Sequence, residues 1–385
     1  VGRAGTETGW GSVGRVGWPA GPPSLALGTR GRGPSGPPGA GAGGPMQLRV
    51  LTLNVWFEQA ARRWRDQVAA IRTFKPDVVC LQEVQSMDLA NKFREAFAGE
   101  YECAHFRGRL SFGTVAAFGV AWALLYSPWV LLAQFGVLSR QKLGASISAL
   151  ALAAVLWRNP GQCSGFFIGN RTGLLLFARK GRVKSISTSA TLFQEWAYDY
   201  LNWIRPRGFL AIDARLQVDG RTEIPFKAIT THLDQLPNQP KGRGRIRQAE
   251  EMLALVSDFE GLSVLAGDLN FTKLGVPGGT SCGTYERIRK DMSDAWDVNA
   301  EPCVTWDQVN NPLAVSQLND LAYGAANSQC ESSSTIPQWQ QQVDYVFWKH
   351  QGPGKVSCSS CEVVFKDPVL SDHYGVMATF DITAE

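Results

Sequence analysis

The chain has few of the residues that mark a metal or disulfide scaffold. Its 385 residues include four histidines and eight cysteines, the latter scattered at Cys80, Cys103, Cys163, Cys282, Cys303, Cys330, Cys358 and Cys361. The lone Cys-x-x-Cys, Cys358 to Cys361, has no second pair and no histidine cluster beside it. It reads as a structural turn or a local disulfide rather than a zinc site. Charge of either sign is also scarce. The formal net charge is +4; residues 1–45 hold four arginines against one glutamate, which leaves +1 for residues 46–385. A nearly neutral domain is not expected to bind nucleic acid, which draws on many cationic contacts to phosphate. No internal repeat is present, which excludes a solenoid. Residues 1–45 are rich in Gly, Pro and Arg and have neither a hydrophobic period nor the apolar stretch of a secretory signal. They read as a disordered leader, fragmentary or mispredicted, because the first Met, Met46, stands one residue before the first predicted strand.

What is present is a core. Hydrophobic residues make up 44% of the chain, with 13 Trp and 19 Phe, enough for one large domain over 46–385. Apolar runs predict strands over 48–55, 78–84, 101–106, 172–177, 209–218, 226–231, 262–269, 343–348 and 376–382. Helical spacing predicts helices over 62–74, 87–97 and 246–259. Strands that follow one another directly point to α/β or α+β layers rather than a purely alternating parallel sheet.

Polar residues collect where these strands end: Asn54, Glu83, His232, Asp268 with Asn270, Asp344, and the pair Asp372-His373. Side chains at strand ends can converge on one rim of a sheet, where ligands bind in α/β folds. Carboxylate and amide oxygens without a His or Cys cluster suit Mg²⁺ or Ca²⁺ better than zinc. Histidines beside carboxylates suit proton transfer near neutral pH. Together these groups fit water attack on a phosphoester.

The motifs Gln82-Glu83, Gly267-Asp268-Leu269-Asn270 and Ser371-Asp372-His373 occur in the order seen in the endonuclease/exonuclease/phosphatase superfamily. The chain resembles that family over 46–105 and 165–385. Within it, the chain is most similar to neutral and bacterial sphingomyelinases. That similarity lies in Asn54-Val55-Trp56, Pro206-Arg207-Gly208-Phe209, Thr231-His232-Leu233-Asp234, Arg245 to Gln248, Asp294-Ala295-Trp296, Thr305-Trp306-Asp307 with Asn311-Pro312, and Ser371-Asp372-His373-Tyr374. The resemblance implies a four-layer α/β sandwich, two packed mixed sheets flanked by helices. It implies Mg²⁺, with Mn²⁺ as a substitute, held by Glu83, Asn54 and Asp372. His373 is then the general base, Asp344 its orienting partner, and Asp268 the group that positions water or a second metal. Asn270 and His232 stabilise the pentavalent phosphorus. The implied reaction is hydrolysis of sphingomyelin to ceramide and phosphocholine. Trp56 stands where nucleases of the family carry a small or polar residue, which disfavours DNA. Gln342 replaces a common Arg, and Gly375 a frequent Pro.

An apolar insert, 110–158, interrupts the resemblance. Residues 110–139 carry no charge and exceed the ~20 residues that cross a bilayer. The candidate site draws on both sides of the insert, so an anchor must cross an even number of times or re-enter. A membrane hairpin is expected, and with it a membrane-associated protein whose partners are a sphingolipid substrate and the membrane surface, with no nucleic acid. The alternatives are a nuclease or inositol phosphate phosphatase of the same fold, or an inactive membrane-tethered lipid-binding module. The Trp-Cys-Asp-Arg signature of the inositol phosphatases is missing, and all candidate site positions are intact.

Overall fold

A computed structural model describes residues 45–106, 172–194, 207–218, 222–234, 243–272, 283–315 and 340–383. The expected leader, but for residue 45, and the whole of the insert 110–158 lie outside the described residues.

The first sheet joins β1 (Met46–Asn54), β2 (Val78–Gln82), β3 (Tyr101–His105), β4 (Leu175–Arg179), β13 (Lys355–Val364) and β14 (Gly375–Thr383) in the order β13-β14-β1-β2-β4-β3. The second joins β5 (Val183–Leu192), β6 (Gly208–Gln217), β7 (Glu223–His232), β8 (Gly261–Asp268), β9 (Ser293–Asp294) and β12 (Asp344–Gln351) in the order β5-β6-β7-β8-β12-β9. Each sheet has one parallel pair, β1 with β2 and β7 with β8, inside an otherwise antiparallel ladder. A parallel pair needs a crossover. The helices α1 (Phe57–Phe74) and α3 (Arg243–Leu253) lie in the two connections. A small ribbon pairs β10 (Trp306–Asp307) with β11 (Gln340–Gln341).

The layering follows from strand parity. In a strand, alternate side chains face opposite sides. Leu48, Val50, Val78, Cys80 and Ala378 of the first sheet share one core with Ile212, Phe226, Ala228, Val264 and Val346 of the second. The other parity of the first sheet, including Leu51, Leu53, Val79, Leu81 and Phe177, packs on Val68 and Ile71 of α1 and on Phe93 and Phe97 of α2 (Met87–Phe97). The other parity of the second sheet, including Ile229, Leu265, Tyr345 and Phe347, packs on Ala249, Met252 and Leu253 of α3 and on Ile288 of α4 (Gly283–Arg289). Both faces of both sheets are therefore covered, which gives four layers, helix on sheet on sheet on helix, as the sequence predicts. Double-faced burial is also why the inner strands read as continuous apolar runs.

The differences from the sequence reading lie at edges and ends. Strands β5 and β13 stand at sheet edges. They are mostly exposed and rich in Ser, Thr and Lys, so they carry no apolar run to read. Helix α3 stops at Leu253, and residues 254–258 form turns. Cys358 and Cys361 sit in β13 as free thiols, so the expected turn or disulfide is corrected. The expected membrane localisation is corrected too. Among the described residues no helix is long and apolar enough to cross a membrane, and the insert that motivated the expectation is not among them.

Candidate active site

The parallel pairs place the polar residues. In register, Asn54 at the end of β1 faces Gln82 at the end of β2, and Glu83 follows. His232 at the end of β7 faces Asp268 at the end of β8, and Asp268 faces Asp344 at the start of β12. Both pairs deliver their last residues to one place, because Asn54 Nδ2 donates to Asp268 Oδ2 at 3.0 Å from the opposite sheet. Gly267 makes the second pair close enough. A Cβ at that position would stand 2.1 Å from the carbonyl oxygen of Thr231, inside van der Waals contact.

Around Asp268 the groups interlock. Its Oδ1 accepts from the backbone N–H of Asn270 at 3.0 Å. Its Oδ2 lies 3.3 Å from His232 Nε2 and 4.0 Å from His373 Nε2. Asn270 has a positive φ of 50° and donates through Nδ2 to the Leu233 carbonyl at 2.9 Å. Asn tolerates this left-handed conformation better than most residues. His373 Nδ1 meets Asp344 Oδ2 at 2.9 Å, and Asp344 is fully buried. An ionised carboxylate only accepts, so His373 donates from Nδ1, which leaves Nε2 turned toward Asp268.

Glu83 and Asp372 are held from the other side. The first backbone N–H of α1, that of Phe57, donates to Glu83 Oε2 at 2.9 Å. The helix has no side-chain cap from Trp56, so this carboxylate satisfies an orphan donor and faces the positive end of the helix dipole. Glu83 itself has φ 64°. A non-Gly residue in that region is held by its surroundings and marks functional sites. Asp372 Oδ1 accepts from Ser371 Oγ at 3.0 Å, and the same hydroxyl lies 2.6 Å from the Asn54 carbonyl oxygen.

The electrostatics follow from crowding buried anions. Burial, then Asp344 and Glu83, push Asp268 up from 3.8 to about 7, against the lowering effects of His373 and Asn54. Burial alone would lower His373. Asp344, Asp372 and Asp268 outweigh it and hold the imidazole well above 6.5. One ligand atom each from Asp268, Asp344 and His373 lies within 4.8 Å of the others, a group able to hold a divalent metal. The donor set fits such a cation: it is oxygen-rich and crowded with negative charge. Asp344 Oδ1 is buried and meets no hydrogen-bond donor among the described residues.

All eight residues singled out from sequence thus lie at the ends of β1, β2, β7, β8 and β12 or just before β14. Six of them, Asn54, His232, Asp268, Asn270, Asp344 and His373, form one connected cluster. Asp372 joins it through Ser371, whose hydroxyl also reaches the Asn54 carbonyl oxygen, and Glu83 acts on Asp268 through its charge. Sequence spacing assigns no role to Ser371, Thr305, Asn311 or Arg245. Arg245 Nη1 donates to the carbonyl oxygen of Asn270 and lies 3.4 Å from that of Asp234. In the sequence, the stretch Arg245 to Gln248 counts only as part of the resemblance, with no role attached.

No curated protein matches the chain in sequence. Solved structures do share its fold. The structure of D. rerio TDP2, complexed with single strand DNA product, is 16% identical with a TM-score of 0.52, covering 87% of this chain and 99% of its own. An endonuclease/exonuclease/phosphatase from Bacteroides vulgatus is 17% identical with a TM-score of 0.52, covering 88% and 99%. The human Nocturnin catalytic domain with bound sulfate anion is 14% identical with a TM-score of 0.50, covering 88% and 94%. These findings correct the expected partners. The fold recurs in a protein complexed with single strand DNA product. The expectation of a membrane sphingolipid partner without nucleic acid is therefore withdrawn. The family model for endonuclease/exonuclease/phosphatase proteins matches residues 51–373, which run from β1 to His373. A divalent-metal-binding acidic and histidine cluster on this sandwich is the site of a metal-dependent phosphoesterase, and the chain belongs to the endonuclease/exonuclease/phosphatase family.

Proposed function

We propose that the chain hydrolyses phosphodiester bonds of nucleic acid or oligonucleotides, with His373 as general base. The observation that carries the reading is the 2.9 Å contact of His373 Nδ1 with buried Asp344. That contact fixes the tautomer in which Nε2 can take a proton from water. Asp268, 4.0 Å from Nε2, accepts from the same water and aligns it. The water oxygen forms a bond to phosphorus, the bond to the leaving alkoxide breaks, and the water proton passes to His373. His232 and the Asn270 amide donate to the phosphoryl oxygens as charge builds there. Glu83, Asn54 and Asp372 would hold Mg²⁺, with Mn²⁺ as substitute. Such a cation neutralises charge on the phosphoryl oxygen and the leaving group. Asp372 is one of the carboxylates whose field keeps a proton on His373, so that field would weaken with a cation held there.

The substrate class rests on two supports. The fold recurs in TDP2 with its single strand DNA product. The low net charge of residues 46–385 favours a short or single-stranded substrate over extended duplex, where affinity grows with the number of cationic contacts. The test is cleavage of single-stranded DNA and RNA oligonucleotides with Mg²⁺, beside EDTA and His373→Ala controls and an arm that follows phosphocholine release from sphingomyelin in detergent. Metal-dependent oligonucleotide cleavage that vanishes in the variant is expected. Phosphocholine release alone would keep the site and move the substrate to a phospholipid. No turnover of either substrate by folded protein would sink the phosphodiesterase reading.

A further inference from the structure

Two buried side chains that touch neither the metal donors' carboxylates nor the imidazole bind the backbone on both sides of the His373–Asp344 pair. Thr305 is fully buried. Its Oγ1 accepts from the N–H of Val343 at 3.0 Å and of Asp344 at 3.1 Å. Its own N–H donates to the Gln341 carbonyl at 2.9 Å. Its carbonyl accepts from Tyr374, the residue after His373, at 2.7 Å, and the next residue, Trp306, bridges His373 as an isolated antiparallel pair. Asn311 is also fully buried. Its Nδ2 donates to the carbonyls of Ser371 and Asp372 at 3.0 Å each, and its Oδ1 accepts from Leu313 N–H at 2.9 Å. Leu313 lies in the short helix α5 (Pro312–Val315).

Asp344 and His373 belong to different sheets. Asp344 opens β12 in the second, and His373 lies two residues before β14 in the first. No ladder of either sheet sets the distance between them. We propose that the segment 305–311 is the brace that sets it, with Thr305 and Asn311 as positioning residues for the dyad. Thr305 pins Asp344 through its hydroxyl and the His373 segment through its carbonyl. Asn311 pins the Ser371-Asp372 backbone just before His373. The inference deepens the proposed hydrolysis and rests on it for its kinetic consequences, but the geometry of the pair can be read without turnover.

The hydroxyl is the part that substitution can isolate. Thr305→Val keeps the shape, the N–H and the carbonyl. It removes the acceptor for two buried N–H groups, a loss that buried donors do not tolerate in place. The start of β12 then shifts, and Asp344 Oδ2 moves off His373 Nδ1. Thr305→Ser keeps the acceptor and restores the pair.

The experiment compares wild type, Thr305→Val and Thr305→Ser. In metal-free protein, proton NMR follows the downfield signal of the hydrogen between His373 Nδ1 and Asp344 Oδ2. The signal is expected in wild type and Thr305→Ser, and shifted upfield or lost in folded Thr305→Val. In turnover, Thr305→Val lowers kcat by ~10–100-fold, the cost typical of removing a supporting partner of a site residue. KM stays within about twofold, because uniform substrate binding is untouched. Thr305→Ser recovers kcat. If Thr305→Val does not fold, Thr305→Cys keeps the volume with a weaker acceptor and must move both readouts the same way by less. A folded Thr305→Val that retains the proton signal and kcat overturns the brace. A wild-type chain with no turnover sinks the proposed activity instead, and the proton signal still decides the brace.

Discussion

In the first sheet the parallel pair β1–β2 ends at Asn54 and Gln82, with Glu83 next; in the second, β7–β8 ends at His232 and Asp268. The backbone plan is the same: a parallel pair, a crossover through a helix, and polar residues where the strands stop. The chemistry at the two ends differs. The first ends in amide and carboxylate oxygens, one of them set against the N-terminus of α1. The second ends in an imidazole and a carboxylate 3.3 Å apart, both buried. In the proposed reaction the first end holds the cation and the second moves the proton, and the Asn54–Asp268 bond ties them. The loop 371–373 repeats the division within two residues, with Asp372 the proposed oxygen donor and His373 the proposed base.

The largest way to break this division is at the base. His373→Ala removes a general base, worth typically 10²–10⁴ in rate. We expect kcat to fall by about that factor while far-UV circular dichroism stays that of wild type. Mg²⁺ binding, followed by calorimetry, is expected to persist if Glu83, Asn54 and Asp372 hold the cation; its loss would move the cation to the Asp268–Asp344–His373 group. Activity within tenfold of wild type would place the base elsewhere.

A second, smaller effect separates the two jobs of Glu83. As a helix cap its carboxylate accepts from Phe57 N–H; as a cation donor it needs its charge. Glu83→Gln keeps an acceptor for the cap, so metal-free thermal stability should stay close to wild type, since a neutral cap loses only part of a dipole contribution of about 0.3–1 kcal/mol. The Mg²⁺-dependent rise in Tm should vanish, because loss of affinity removes the stabilisation that ligand binding confers. A variant that keeps the full Mg²⁺ shift would make Glu83 a cap alone.

How much of this division can be read from the sequence is uneven. The core strands were legible because burial on both faces makes them continuous apolar runs, as in Val78 to Gln82. Two edge strands were not, because Val183–Leu192 and Lys355–Val364 pair on one side only and carry no apolar run. The polar residues at strand ends were legible as a set, since each breaks an apolar run. Their pairing was not. Nothing in the spacing says that Asn54 reaches Asp268 across 214 residues of chain. Nor does a lone Thr or Asn reveal that it carries backbone N–H groups or carbonyls of a distant loop, as Thr305 and Asn311 do. The substrate lies furthest from the sequence. The motifs that favoured a lipid headgroup are short, and they sit on a fold shared with a DNA-bound protein.

The smallest effect sharpens the comparison through pH. Asp268 has its folded pKa pushed up to about 7 from 3.8, first by burial. An acid whose pKa is higher in the folded state binds its proton more tightly there. Its contribution to stability is fully present below 3.8 and is lost as pH rises through about 7. His373, also raised in the fold, acts with the same sign at higher pH, where losing its proton removes the attraction of the surrounding carboxylates. The metal-free protein should therefore lose stability between about pH 4 and 7 relative to Asp268→Asn, which has no proton to lose at that position. Thermal melts of both proteins in EDTA at steps across this range measure the difference, which cancels the other carboxylates common to both. The gap should close when Mg²⁺ is added to wild type at the upper end, since a cation held among these carboxylates would offset the burial and the neighbouring charges that raise the pKa. A gap that is flat with pH, or that opens in favour of wild type as pH rises, would mean that Asp268 is ionised at low pH without a cation. The second sheet would then not depend on the first for its charge balance, and the division between a cation end and a proton end would lose its electrostatic link.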